Sequence, residues 1–151
     1  MKRKGAKKIF VVGHSYGTPT ILHSKNQGFD AAIFWDGSFT ERIQKYFKKA
    51  KYIQQIKGRL LDWGFHILIG EKMIKEAEKV NSLALIDKLS KPTLFAYAGK
   101  GALIESGRKM YDRSKAPKKF IVIKNAQHNF NEDGTQEKLY SETINWLKKY
   151  I

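Results

Sequence analysis

Residues 9–22 constrain the fold of this chain more than any other stretch. Ile9-Phe10-Val11-Val12 is a short apolar run of strand character that stops abruptly at Gly13-His14-Ser15-Tyr16-Gly17. Thr18-Pro19-Thr20-Ile21-Leu22 then opens a helix, with Pro19 in a first turn that tolerates it. A strand, a sharp turn with serine at its tip and a helix together make a nucleophile elbow. The turn is expected to be too tight for a Cβ at Gly13 or Gly17, which accounts for glycine on both sides of the serine. Such a turn lifts the Ser15 hydroxyl clear of the strand. It also aims the start of the helix, with the backbone N–H of Tyr16, at the place where an oxyanion would form.

The 151 residues suit one domain with room for a core. A hydrophobic content of 42% and an aromatic content of 13% argue against disorder. No run approaches the roughly 20 apolar residues needed to span a bilayer. The basic start, Met1-Lys2-Arg3-Lys4-Gly5-Ala6-Lys7-Lys8, precedes too short an apolar run for a secretory leader, so a cytoplasmic location is expected. With no cysteine, disulfides, thiolate metal sites and a cysteine nucleophile are excluded. The net charge of +15 raises a polyanionic partner or an anionic membrane surface. The charge, however, is scattered lysine pairs (Lys7-Lys8, Lys48-Lys49, Lys118-Lys119, Lys148-Lys149) with no arginine cluster, which favours a solvated surface over a nucleic-acid partner.

The first helix is expected to run to about Lys25 and stop near Asn26-Gln27-Gly28. Asp30-Ala31-Ala32-Ile33-Phe34-Trp35 reads as a buried parallel strand closed by Asp36-Gly37-Ser38. Residues 40–89 are lysine-rich and amphipathic with a helical period, too long for a simple crossover, and are read as a helical cap inserted between strands. Pro92 to Ala98 and Lys118 to Ile123 are two further strands. Ile104 to Ser114 lies between them as a helix, with Met110 and Tyr111 toward the core. Glu137 to Tyr150 closes the chain as a helix, with Leu139, Tyr140, Ile144 and Leu147 on its apolar face. Alternating strands and helices imply an α/β fold with about four parallel strands, residues 1–151 forming a single domain.

A serine nucleophile needs a base within hydrogen-bond reach and a carboxylate to orient that base. In a parallel sheet the C-terminal ends of all strands share one edge. Ser15, Asp36 and His128 each follow a strand and therefore converge there, His128 lying in Asn125-Ala126-Gln127-His128-Asn129-Phe130. His14, His23 and His66 lack that placement; the His14 side chain is expected to point away from Ser15, and His66 falls in the cap. Asp36-Gly37 is also an ordinary turn pair, and Asp112 and Asp133 are weaker rivals for the acid.

On these segments the chain resembles the α/β-hydrolase family, from the elbow to the C-terminus of that fold. Those segments are G-H-S-Y-G, D-A-A-I-F-W-D, K-P-T-L-F-A-Y, A-Q-H-N-F and T-I-N-W-L-K-K. The resemblance implies a partial α/β-hydrolase fold and serine esterase chemistry on a small-molecule ester or acyl substrate, with Ser15, His128 and Asp36 as the triad. It calls for no metal or organic cofactor. Many family members carry the acid in a G-x-x-D segment after the penultimate strand; here Gly99-Lys100-Gly101-Ala102 has no aspartate. The placement at Asp36 is similar to that of the platelet-activating factor acetylhydrolase group, as is His-Asn-Phe after the last strand.

Family members also carry several strands before the elbow, where this chain has eight residues. One of the missing loops supplies the other oxyanion donor, a loss that typically costs about 10²–10³ in rate. The Ile9–Val12 strand, central in a full sheet, becomes a bare apolar edge. That edge calls for a partner chain or a homodimer across it, or marks a truncated product of low stability. Two other readings remain: a catalytically impaired remnant acting as a binding or assembly module, and a basic nucleic-acid binder resting on charge alone. Trp63, Phe65, Ile67 and Leu68 of the cap are candidate walls of an acyl pocket, or plain core.

Overall fold

The computed structural model describes residues 5–39, 46, 47, 49–62, 66–115 and 117–151. In chain order the elements are β1 (Phe10–His14), α1 (Gly17–His23), β2 (Ala31–Trp35), β3 (Lys51–Ile53), β4 (Gly58–Asp62), β5 (His66–Gly70), α2 (Glu71–Glu78), α3 (Ser82–Ile86), β6 (Thr93–Ala98), α4 (Ile104–Arg113), β7 (Lys118–Ile123) and α5 (Thr135–Leu147). They belong to two compact units, Met1–Ser38 with Leu83–Ile151, and Phe39–Ser82.

The first unit is built on a parallel sheet of order β1-β2-β6-β7. Its two central strands, AAIFW and TLFAYA, are apolar almost throughout, the pattern of strands covered on both faces. On one face Ile33, Leu94, Ala96, Ala98 and Ile123 pack with Leu139 and Trp146 of α5. On the other face the aromatic rings interlock. Phe34 meets Phe95 edge-on at 5.3 Å, Phe95 meets Tyr111 of α4 at 5.6 Å, and Tyr97 stacks on Phe120 at 5.3 Å. Each such buried apolar side chain is worth about 1.5–3 kcal/mol. The sheet therefore holds the C-terminal ends of β1, β2 and β7 in fixed positions, and those ends carry the site.

The strands β1, β2, β6 and β7 fall where the sequence predicts them, to within two residues. α1 is shorter than expected, ending at His23, because the Ser24 N–H closes a turn on the Ile21 carbonyl. The inward face of α5 also differs. Thr135, Leu139, Thr143 and Trp146 are buried, whereas Tyr140 and Ile144 are exposed. The hydroxyl of Thr143 explains its place inside, since it accepts the indole N–H of Trp35 at 3.0 Å.

The second unit corrects the expectation of a helical cap. It contains an antiparallel sheet of order β3-β4-β5, followed by α2. Lys57, with φ +44°, makes the tight corner into β4, and Gly58 follows where a Cβ would come within 2.7 Å of the Ile69 carbonyl oxygen. Trp63 and Phe65, candidate pocket residues, lie outside the described residues. Ile67 is half-buried in β5 and Leu68 is exposed. His66, also in β5, lies 3.8 Å from Asp62 on the surface.

Candidate active site

β1 ends and α1 begins across two residues, Ser15 and Tyr16. Ser15 has φ +53°, a left-handed conformation that a side-chain-bearing residue adopts only under constraint. Three backbone bonds supply that constraint. The Ser15 N–H donates to the Trp35 carbonyl at 3.0 Å, and its own carbonyl accepts from the N–H groups of Thr18 at 3.2 Å and Ser38 at 3.1 Å. Gly13 is required by space: a Cβ there would lie 2.7 Å from the carbonyl carbon of Gly17 and 2.8 Å from the Ile21 side chain. Gly17 is not required. A Cβ there meets nothing within 4 Å, which corrects the expectation that both flanking glycines answer to crowding. Tyr16 occupies the N-cap position of α1.

Asp36 follows β2, also with positive φ (+41°), and is fully buried. Both carboxylate oxygens are engaged. Oδ1 accepts the Ala98 N–H at 3.1 Å and Oδ2 accepts Nδ1–H of His128 at 2.6 Å. With its proton held on Nδ1 by the carboxylate, the His128 ring presents Nε2 as an acceptor, and the Ser15 hydroxyl lies 2.9 Å from it. The structure thus brings Ser15, His128 and Asp36 together in one hydrogen-bonded line. Asp112 and Asp133 are exposed and stand apart from it.

Gly101 lies beside the same spot. A Cβ on it would come 3.2 Å from Oδ2 of Asp36 and 3.1 Å from Ala98. The two places where the sequence could have carried an acid therefore converge in space. A side chain at 101 would crowd the Asp36 carboxylate. Tyr97 closes the floor beneath: its hydroxyl donates to the Gly37 carbonyl at 3.2 Å, and burial together with the nearby Asp36 charge holds its phenol well above its ordinary pKa of 10.0. A Cβ on Gly107 would sit 2.2 Å from the Tyr97 ring, so glycine in α4 is what admits that ring.

His14 departs from its sequence expectation. Its Nε2–H donates to the backbone carbonyl of His128 at 2.8 Å, and the two imidazoles lie 4.8 Å apart. Its position at the C-terminal end of β1 is the signal that would have found it, since strand ends on that edge converge. Among the described residues no three His, Asp or Glu side chains gather as a metal site requires.

The esterase domain of a Rhodothermus marinus protein superposes with a TM-score of 0.77 at 16% identity, over 93% of this chain and 61% of that one. The fold is that of an α/β-hydrolase. A monoacylglycerol lipase of Paleococcus ferrophilus gives 0.72 at 16% identity, over 99% of this chain and 71% of the lipase. The α/β hydrolase GrgF from Penicillium sp. sh18 gives 0.66 at 16%, over 94% and 63%. No family model and no curated protein sequence matches the chain. This chain thus spans about three fifths of the length of the Rhodothermus chain.

Proposed function

We propose that the chain is a serine hydrolase that cleaves an ester or related acyl bond of a small molecule. The observation that carries this reading is the line Ser15 Oγ–His128 Nε2–His128 Nδ1–Asp36 Oδ2, at 2.9 and 2.6 Å, with its carboxylate fully buried. His128 takes the hydroxyl proton as Ser15 Oγ bonds to the carbonyl carbon. The same proton then passes to the departing alcohol as the acyl–oxygen bond breaks. Water attacks the acyl-enzyme with His128 again as base, releasing the acid and restoring Ser15. Asp36 keeps the imidazole in the tautomer that can accept and steadies the imidazolium. The Tyr16 N–H, at the head of α1, is the oxyanion donor that this chain offers. No step needs a metal or an organic cofactor.

The rival reading, a remnant that acts as a binding or assembly module, is favoured by the 61% span of the Rhodothermus chain and by a β1 edge that no strand pairs among the described residues. A fluorophosphonate probe separates the two. Labelling of the wild type that disappears in Ser15→Ala and His128→Ala is the expected result, with Asp36→Asn slower by about 10⁴. A folded wild type that takes no label overturns the hydrolase reading in favour of the module.

A further inference from the structure

We infer that His14 is a positioning residue that holds the His128 main chain over Ser15, an inference that rests on the hydrolase reading above. The sheet order puts Ser15 and His128 at opposite edges, on β1 and after β7. Three interstrand spacings separate them, about 14 Å. The loop after β7 must therefore cross the ends of β6 and β2 to bring the imidazole to the serine.

Most of the bonds that shape this loop tie it to its own side. The Ala126 carbonyl accepts the Lys100 N–H at 2.8 Å, the Gln127 N–H donates to Glu132 Oε2 at 3.0 Å, and the Phe130 N–H donates to the Gln127 carbonyl at 3.0 Å. None of these reaches β1. His14 does: it is the last residue of β1 and adjoins Ser15 in sequence, and its Nε2–H donates to the His128 carbonyl at 2.8 Å. Its ring also lies 4.8 Å from the His128 ring and edge-on to Phe130 at 6.3 Å. Asp36 fixes the direction of the His128 imidazole, and His14 fixes the height of its backbone above the nucleophile. The strand that carries the serine thus carries the tether for its base.

The test compares His14→Phe, which keeps a ring and removes the donor, with His14→Gln, whose amide N–H reaches the same carbonyl. Rate and affinity of fluorophosphonate labelling are measured separately. The Phe variant should lower the maximal labelling rate by about 100-fold at unchanged probe affinity, and the Gln variant should restore it to within a few-fold. His14→Asn, polar but too short to reach, replaces the Phe variant if that one does not fold. A second readout is independent of labelling: in a Ser15→Ala background, the low-field proton resonance of His128 Nδ1 should persist with Gln at 14 and vanish with Phe or Asn. Equal labelling rates and an unchanged resonance in the Phe variant overturn the role of His14. A wild type that does not label, with the resonance responding as stated, overturns the hydrolase reading and leaves the tether standing.

Discussion

Asp36 and Tyr97 show how one buried acceptor shapes its neighbours. The carboxylate crowds position 101, where a Cβ would come 3.2 Å from Oδ2, and its charge falls on the phenol of Tyr97. Tyr97 is raised first by burial and then by that charge. A raised pKa in the folded state means that the native phenol keeps its proton where the unfolded chain releases it. The stability that Tyr97 contributes is then complete below about pH 10 and declines as pH rises above 10 toward the folded value. Tyr97→Phe removes one buried hydrogen bond to Gly37 and should cost about 1 kcal/mol at pH 7. The variant also removes the titration, so the gap between wild type and variant should narrow or reverse above pH 10. Denaturant midpoints of both proteins at pH 7 and pH 11 measure this, and a constant gap would contradict it. Because both proteins share every lysine, the difference isolates the phenol.

The elbow gives a contrast between two glycines that look equivalent in G-H-S-Y-G. Gly13→Ala pushes a methyl group into the Gly17 backbone and should cost about 1–3 kcal/mol, with slower Ser15 labelling as the turn opens. Gly17→Ala enters open space at the first residue of α1 and should be neutral or stabilising by up to about 1 kcal/mol. Thermal melting of the two single variants checks this, and equal losses would refute the assignment of crowding to Gly13 alone. The elbow was legible because strand, turn and helix are local, and a local pattern needs no knowledge of distant partners. The two central strands, β2 and β6, were legible for a related reason: strands covered on both faces are almost wholly apolar. The 51–70 sheet was not, since its pairing is exposed and its strands mix Lys, Arg and Leu in a way that mimics a helical period. A usable signal was present in Gly58, Gly64 and Gly70, which cut that stretch into lengths too short for stable helices. The line of Ser15, Asp36 and His128 could be anticipated from strand ends alone; the strand end also places His14 on that edge, but its particular partner, the His128 carbonyl, depends on where the β7 loop comes to rest.

The sheet as a whole is asymmetric, and its asymmetry bears on association. β7 and β1 are both edges, but β1 is the one that leads into Ser15, and among the described residues no strand pairs with its outer side. Val12 is 46% exposed there, and on α5 Tyr140 and Ile144 are 46% and 52% exposed. An uncharged edge strand with apolar neighbours is a template for pairing with another chain. Opposing this is the net charge of +15, which repels a second copy at low ionic strength. The two effects separate by salt. Screening falls to a length of about 10 Å at 0.1 M, so the repulsion weakens while the backbone and apolar attraction of the edge does not. Association should therefore grow as salt is raised, the reverse of what binding to a polyanion would show. Val12→Lys places a charge in the middle of the edge and should suppress that growth, while Val122→Lys, the equivalent change on β7, serves as the control. Sedimentation velocity at 0.02 M and 0.5 M salt reads the outcome. If wild type and Val12→Lys associate alike, the β1 edge is not the adhesive surface, and the weight shifts to the exposed side chains of α5.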